Sequence, residues 1–547
     1  MRGADSLMRS LAESGIEICF ANPGTSELHL VAGLDAAPGV KAVLTLHENV
    51  ASGAADGWGR IRGRPASTLL HLGPGLSNAL SNLHNARRGA TPIVNIVGDH
   101  ASYHVANDPP LASDIAALAR TVSGWVYTVP SAQEAELAGR AAVAAAAGPP
   151  GAIATLIVPA DAAWGEVAAT ADAATDRQEQ RSGTAEASTG VSAVVLAGAT
   201  RAPYVVLPGA ETHGVTHGVA RAAAALASGE PAMLLVGGRA MAPELLALAG
   251  QVAARTGAQL CCTPFTARAR RGAGSVAVDR LPYFPELVTQ RLAGVRHLLL
   301  LDAPAPVAFF AYPGQSTALV PSSCVVQSLV SGGADVREFL EALVARTDAG
   351  GSEAALVQAA IPSIPHGSIS PAVFAQTLAA VLPEEAIVCD EAISNRFPAM
   401  LATIGARPHD WCCITGGSLG SGIPMALGAA LAAPGRRVLN LQADGSAMYT
   451  PQALWSLARE GVDVTTVILA NRRYRILDVE LERLQLTDID RGRALTDLSH
   501  PSIDFVQLAM ALGVPALRVD QAGALADAMQ RAFAEPGPCL IEAAMVA

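Results

Sequence analysis

Two polar clusters near the end of the chain have types and spacing suited to chemistry. In the run Leu-Gln-Ala-Asp-Gly-Ser (441–446), an apolar strand ends in Asp444-Gly445-Ser446. A helical pattern, PQALWSLAREG, and a second apolar strand, VTTVILA, then lead to Asn471. One helix and one strand fit between 444 and 471, so both side chains fall at the same edge of a parallel sheet. A carboxylate, a carboxamide oxygen and nearby carbonyls make a hard-oxygen set suited to Mg²⁺. Gly445 and Ser446 would offer backbone N–H groups at a helix start, where a phosphate is stabilised. The plainer alternative is an Asp-Gly turn with a serine cap. Upstream, TGGSLGSGIPMALGAA (415–430) is a glycine-rich turn between strand and helix, with bulky Leu419 inside it. Such a turn lets backbone approach a ligand, and it is also common packing.

These residues need a scaffold, and the chain supplies α/β patterns in three blocks. The 547 residues suggest about three domains at roughly 100–200 residues each. Residues 1–170 alternate helical patterns with short apolar runs (IEICFANPG, KAVLTLHE, ASTLLHLGPG, PIVNIVGD, AIATLIVP). Residues 171–190 are polar and read as a linker. A second block spans 191–345 with PAMLLVGG, HLLLLDAP and SCVVQSLV as strands, and a third spans 368–547 with AIVCDE, DWCCITGG, RRVLNLQADG, DVTTVILANR and PCLIEAAM. The expected fold is therefore α/β, three doubly wound parallel-sheet domains, with ligands at the carboxyl ends of the strands.

Bulk composition narrows the function. The chain is 51% hydrophobic and 16% charged, a core-rich profile rather than a disordered one. A net charge of −11 argues against a nucleic-acid partner. No signal-peptide pattern and no long unbroken apolar run is evident, and eight cysteines without a CxxC pair fit reduced thiols in a cytoplasm. No membrane partner is expected.

The clusters resemble the thiamine-diphosphate-dependent 2-oxo acid decarboxylase and carboligase superfamily. Its metal motif, Gly-Asp-Gly followed at a distance by Asn, is matched by Ala443-Asp444-Gly445 and Asn471. Independently, FANPGTSEL (20–28), LTLHENVASGAADGWGR (44–60) and LLHLGPGLSNALSNLHNARR (69–88) look like the acetolactate synthase and benzoylformate decarboxylase branch. The likeness covers essentially the whole chain, in the order pyrimidine-binding, central and diphosphate-binding domain.

The resemblance implies roles for individual residues. Glu48 would act on N1′ of the coenzyme's aminopyrimidine so that N4′ can take the C2 proton. The carbonyl of Gly417 would accept from N4′, and Leu419 would hold the coenzyme bent. Asn22, Pro23, Gly24 and Thr25 would form a turn over the reacting centre. Asn78, Ser394, Gly445, Ser446 and Tyr474 would contact the coenzyme. Asp444, Asn471 and the backbone of Arg473 would hold Mg²⁺. His71 would handle protons near the substrate, with Thr25, His100, Arg475 and Leu477 as further substrate contacts. The expected substrate is a small 2-oxo acid, with an aldehyde or second 2-oxo acid as possible acceptor. The expected assembly is a homodimer or homotetramer with active sites at the dimer interface.

Departures from the pattern are specific. Asn471-Arg472-Arg473-Tyr474-Arg475 carries arginines where the family has glycines, and these could pair with phosphate, with an acidic substrate, or face solvent. APAPVAFFAYPG (303–314) offers Phe309 and Phe310 in place of a second histidine and lacks the arginine stretch that accompanies flavin, which argues against FAD. Two other readings stay open: a non-catalytic coenzyme-binding relative, and a zinc hydrolase built on His100 and His104, whose spacing His213 and His217 repeat.

Overall fold

A computed structural model describes residues 1–168, 215–330, 333–486 and 489–546. The stretch read as a linker, and His213, lie outside these; His217 stands on the helix Val215–Ala227. The chain divides into two compact units, Met1–Tyr204 and Val205–Ala547.

In the first unit, β1 (Ile18–Asn22), β2 (Lys41–Leu44), β3 (Ala66–Leu70), β4 (Ile93–Asp99), β5 (Trp125–Thr128) and β6 (Ile153–Pro159) form one parallel sheet, ordered β2-β1-β3-β4-β6-β5. β5 is the strand that the sequence pattern does not announce, because WVYT is only four residues long. Helix Gly3–Glu13 packs with Ala135–Ala147, and helix Glu48–Arg62 packs with Leu72–Arg88. Leu7, Leu11, Leu69, Ile96 and Leu156 share one core cluster. β3 is buried at every residue, as expected of a strand between two helical layers.

The second unit holds two sheets. β7 (Ala232–Val236), β8 (Gln259–Cys262), β10 (Asp279–Arg280), β11 (His297–Leu301) and β12 (Val325–Val330) are parallel, ordered β10-β8-β7-β11-β12, while β9 (Ala269–Arg271) leaves this sheet. Period-two alternation divides β7 and β11 between two cores: Leu234, Val236, Leu299 and Leu301 face one, Met233, Leu235, Leu298 and Leu300 the other.

The last sheet, ordered β17-β18-β16-β15-β13-β14-β9, contains β13 (Ala386–Glu391), β14 (His409–Cys413), β15 (Val438–Ala443), β16 (Val464–Ala470), β17 (Ala516–Val519) and β18 (Cys539–Ala544). All its pairs are parallel except β14 with β9, which runs antiparallel with His409 opposite Arg271 and Trp411 opposite Ala269. The middle block is thus not closed on itself: one of its strands completes the sheet of the third. Helix Pro371–Val381 packs with Ala522–Ala534, and Gly422–Ala432 with Ala453–Glu460. Among the described residues no helix is long and apolar enough to cross a membrane, and all eight cysteines are free.

Candidate active site

Three elements of the first unit converge on Glu48. β1 ends at Asn22, and the helix that follows β2 begins at Glu48, where the helix dipole favours an acidic side chain. His47 caps this helix, its Nδ1 accepting from the Asn49 N–H at 3.1 Å. The helix after β3 carries Asn78. Glu48 is 6% exposed. Its Oε1 accepts from Asn22 Nδ2 at 3.0 Å and its Oε2 from Asn78 Nδ2 at 2.9 Å. The two asparagines expected to touch the coenzyme therefore hold the carboxylate itself, fixing both its oxygens.

A second pair lies beside it. His71 follows β3 and stands just before the helix Leu72–Arg88, its side chain making no capping bond. Its Nδ1 is 2.7 Å from Oε2 of Glu27, which is wholly buried and also accepts from the Gly24 N–H at 2.9 Å. A carboxylate only accepts, so Nδ1 carries the hydrogen and Nε2 is left as the reactive nitrogen. Glycine is required on both sides: a Cβ on Gly24 would stand 2.2 Å from His71 Nδ1, and one on Gly98 would stand 1.9 Å from Glu27 Oε1. Gly75 lies between the two acid–base groups, a Cβ there being 3.2 Å from His71 and 3.3 Å from Glu48. Motif and resemblance do not point to Glu27. Its signal is the spacing Gly24 to Glu27, which lets a side chain return to the N–H of the residue that opens the 3₁₀ turn Thr25–Glu27. Thr25 sits in that turn and Pro23 just before it, and both are exposed.

His100 follows β4 at the same sheet edge, its N–H donating to Asp99 at 2.7 Å. Burial raises the Asp99 carboxyl above its usual range. The rings of His100 and His104 meet edge to face at 5.7 Å, a packing contact. Among the described residues no group of three or more His, Cys, Asp or Glu side chains could hold a metal, which leaves a zinc centre at these histidines without a third ligand.

In the second unit the expected residues occupy four adjacent strand ends. Ser394 lies on the 3₁₀ turn after β13. Gly417 follows β14 with φ of 76°, exposed, and a Cβ there would fall 2.7 Å from Phe309. Leu419 is half-buried in the same turn. After β15, Asp444–Ala447 form a single helical turn of their own, separate from the helix Ala453–Glu460. Asp444 is 3% exposed and accepts from the N–H groups of Gly445, at 2.8 Å, and Arg472. Burial raises its carboxyl above the usual range against the pull of these donors, a cost that an adjacent cation would offset. After β16, Asn471 Oδ1 accepts from the Arg473 N–H at 3.0 Å. The ring of Tyr474 covers Gly445, where a Cβ would stand 2.3 Å from it. The Ser446 hydroxyl is engaged within the fold, donating to the Ala443 carbonyl at 3.2 Å and accepting from Gln442 at 2.6 Å.

The arginines resolve differently. Arg473 pairs with Asp478 at 2.7 Å and Arg475 with Glu482 at 3.2 Å, both acids of the following helix. The Arg473 carbonyl accepts from the Arg475 N–H at 2.9 Å. Leu477, on the same helix, is 45% exposed.

Residues 1–118 match the family described as "Thiamine pyrophosphate enzyme, N-terminal TPP binding domain", and residues 399–543 match its C-terminal TPP binding domain. A Mycobacterium tuberculosis protein named "Putative acetolactate synthase large subunit IlvX" is 47% identical over 548 residues, covering 99% of this chain and 98% of that one. The chain belongs to the thiamine pyrophosphate enzyme family. Benzoylformate decarboxylase of Pseudomonas aeruginosa is 28% identical over 563 residues, with 97% and 96% of the two chains covered. Among solved structures, a Rhodococcus jostii thiamine diphosphate-dependent 4-hydroxybenzoylformate decarboxylase superposes with a TM-score of 0.80 at 23% identity, over 100% of this chain and 99% of that one.

The residues present in this thiamine pyrophosphate enzyme fit the coenzyme. Asp444 and Asn471 would supply oxygen donors, the exposed backbone at Gly417 admits a ligand's approach, and Glu48 is held in place. Gly24→Ala should displace the His71 ring, and a displacement near 1 Å costs roughly hundredfold in turnover. Measured kcat at saturating coenzyme checks this, and an unchanged kcat would show the ring position to be immaterial.

Proposed function

We propose that the chain binds thiamine diphosphate through Mg²⁺ and decarboxylates a 2-oxo acid, the remaining acyl unit being protonated or passed to a second carbonyl. The observation that carries this reading is Glu48, a buried carboxylate whose two oxygens are fixed by Asn22 and Asn78 at the open edge of a parallel sheet. When bound, thiamine diphosphate supplies the carbon nucleophile and the electron sink that decarboxylation of a 2-oxo acid requires.

The chain's own residues then divide the work. Glu48 holds or gives a proton at the aminopyrimidine. His71, with Nδ1 fixed by Glu27, presents Nε2 as a proton carrier toward the substrate. Asp444, the Asn471 carboxamide and the Arg473 carbonyl hold the cation. Ser394, Tyr474 and the backbone of Gly445 and Ser446 face the diphosphate. The Gly417 carbonyl and Leu419 position the pyrimidine side, and the Asn22–Thr25 turn with His100, Arg475 and Leu477 borders the substrate. The printed names of the relatives, an acetolactate synthase subunit and a benzoylformate decarboxylase, support this substrate class. We place the enzyme in the cytoplasm as a homodimer or homotetramer, in keeping with its free cysteines.

The aromatic cluster next to Gly417 favours an apolar substrate side chain. Phe309 packs against Phe310, Tyr283 and Phe265 at 4.8, 5.5 and 5.7 Å, and Phe309 and Phe310 remain 43% and 53% exposed. The rings give an acidic side chain no charge partner, and Arg396, whose guanidinium lies over Phe265, is already paired with Asp390. CO₂ release from pyruvate, 2-oxobutyrate, benzoylformate and 2-oxoglutarate, with and without an aldehyde acceptor, tests both statements. Coenzyme- and Mg²⁺-dependent release is expected, faster with benzoylformate than with 2-oxoglutarate. No release from any of them would overturn the proposal.

A further inference from the structure

Glu391, the last residue of β13, is a fully buried carboxylate to which the reading above gives no work. It faces the glycine-rich turn that carries Gly417 and Leu419. Its Oε1 accepts from the Gly420 N–H at 2.6 Å and its Oε2 from the Gly422 N–H. Gln442, its partner on β15, favours its charged form, and the Gln442 amide donates to Ser446 Oγ at 2.6 Å, inside the Asp444 turn. Asn440 braces Gln442 from the other side at 3.3 Å.

The turn is gripped through both backbone groups of one residue. Gly420 gives its N–H to Glu391, while its carbonyl accepts from Thr450 Oγ1 at 2.9 Å, just beyond the Asp444 turn. No side chain could stand at this crossing: a Cβ on Gly422 would lie 2.3 Å from Gln442 Oε1 and 2.9 Å from Glu391 Cβ, and one on Gly420, whose φ is 90°, would lie 2.7 Å from Tyr449.

We propose that Glu391 is a positioning residue that locks the Gly417–Leu419 turn to the Asp444 turn, so that the parts of the site holding the two ends of the coenzyme keep one fixed separation. This rests on the functional reading above. The donors converge so closely that only an acceptor on both oxygens satisfies them, which a carboxylate is and a carboxamide is not. Desolvation pushes the Glu391 carboxyl up to about 7 against these donors. The charged groups around it are Arg396, which favours its ionised form, and Asp390, which pairs with Arg396 at 2.7 Å. Because the folded value is raised, the native state binds a proton that the unfolded chain releases. Stability from this source is full below the ordinary carboxylate range and is lost as pH rises through about 7, while the lock itself is complete only above it.

The full chain carrying Glu391→Gln tests the lock. In the coenzyme-free protein, amide hydrogen exchange at Gly420 and Gly422 should accelerate roughly tenfold, since one donor loses its acceptor. Thiamine diphosphate titrated with Mg²⁺ should bind roughly tenfold more weakly by tryptophan fluorescence, and the fall in Tm between pH 5 and pH 8 should flatten. A folded variant with unaltered exchange at both glycines and unaltered coenzyme affinity overturns the proposal. Should Glu391→Gln not fold, Gln442→Met removes the side-chain amide that stands between Glu391 and Ser446, along with its bond to Asn440. Weaker coenzyme binding by that variant supports the lock, and unchanged binding overturns it. Wild-type chain that binds no thiamine diphosphate would overturn the functional reading instead, with the exchange rates still deciding whether Glu391 grips the turn.

Discussion

Glu48→Gln slows exchange of the C2 hydrogen of bound thiamine diphosphate by roughly 10²–10⁴-fold, the contribution expected of a positioned acid–base group. The substitution keeps the shape of the side chain and removes its ability to exchange a proton. It also turns an NH₂ group toward one of two amide donors, because Asn22 and Asn78 each aim Nδ2 at a Glu48 oxygen. That mismatch costs about 1–3 kcal/mol locally. Residue 48 opens a helix whose cap, His47, is untouched, so the fold persists. Quenched-flow exchange followed by NMR, at saturating coenzyme, separates the chemical loss from weaker binding. Exchange at the wild-type rate would remove Glu48 from the role given to it.

Asp444→Ala weakens Mg²⁺-dependent binding of thiamine diphosphate by a hundredfold or more, beyond the roughly 10–100-fold that even groups behind a metal ligand contribute. Its effect on the coenzyme-free chain runs the other way. Burial already raises the Asp444 carboxyl, so the charge is disfavoured before a cation arrives. Removing it takes away that burden and leaves the N–H groups of Arg472 and Gly445 without their acceptor, two changes of opposite sign. The expected result is a large change in coenzyme Kd with a small change in Tm of the coenzyme-free protein. Calorimetric titration with and without Mg²⁺ measures the first, and tight metal-dependent binding by the variant would refute the assignment of Asp444 to the cation.

Residues standing in runs of distinctive type are legible in the chain itself: Glu48 in its helix start, the Asp444 turn, the glycine-rich turn, and most strands of the parallel sheets. What the linear pattern does not carry is which residue meets which. Asn22 and Asn78 are expected on the coenzyme, and their amides lie on Glu48, a relation made by three elements folding together. Glu27 stands inside the run FANPGTSEL without a role of its own, because nothing in its neighbourhood shows that Gly98, on another strand, opens a space for it. Glu391 closes a strand as CDE, and only the return of residues 420–422 over it turns the carboxylate inward. The arginines after Asn471 look available in sequence, yet two of them find acids on the following helix turns. β9 escapes because three residues, two of them arginines, are too few to show a period of two.

That small strand limits how this protein could be divided. With β9 in place, the outer flank of β14 is hydrogen-bonded along His409–Trp411. A fragment holding the last block alone would bare a row of backbone donors and acceptors on a strand otherwise buried, a template for pairing with another chain. Recombination between relatives would meet the same barrier: a transplanted central segment must bring a compatible border strand with it, so the two blocks are constrained to be inherited together.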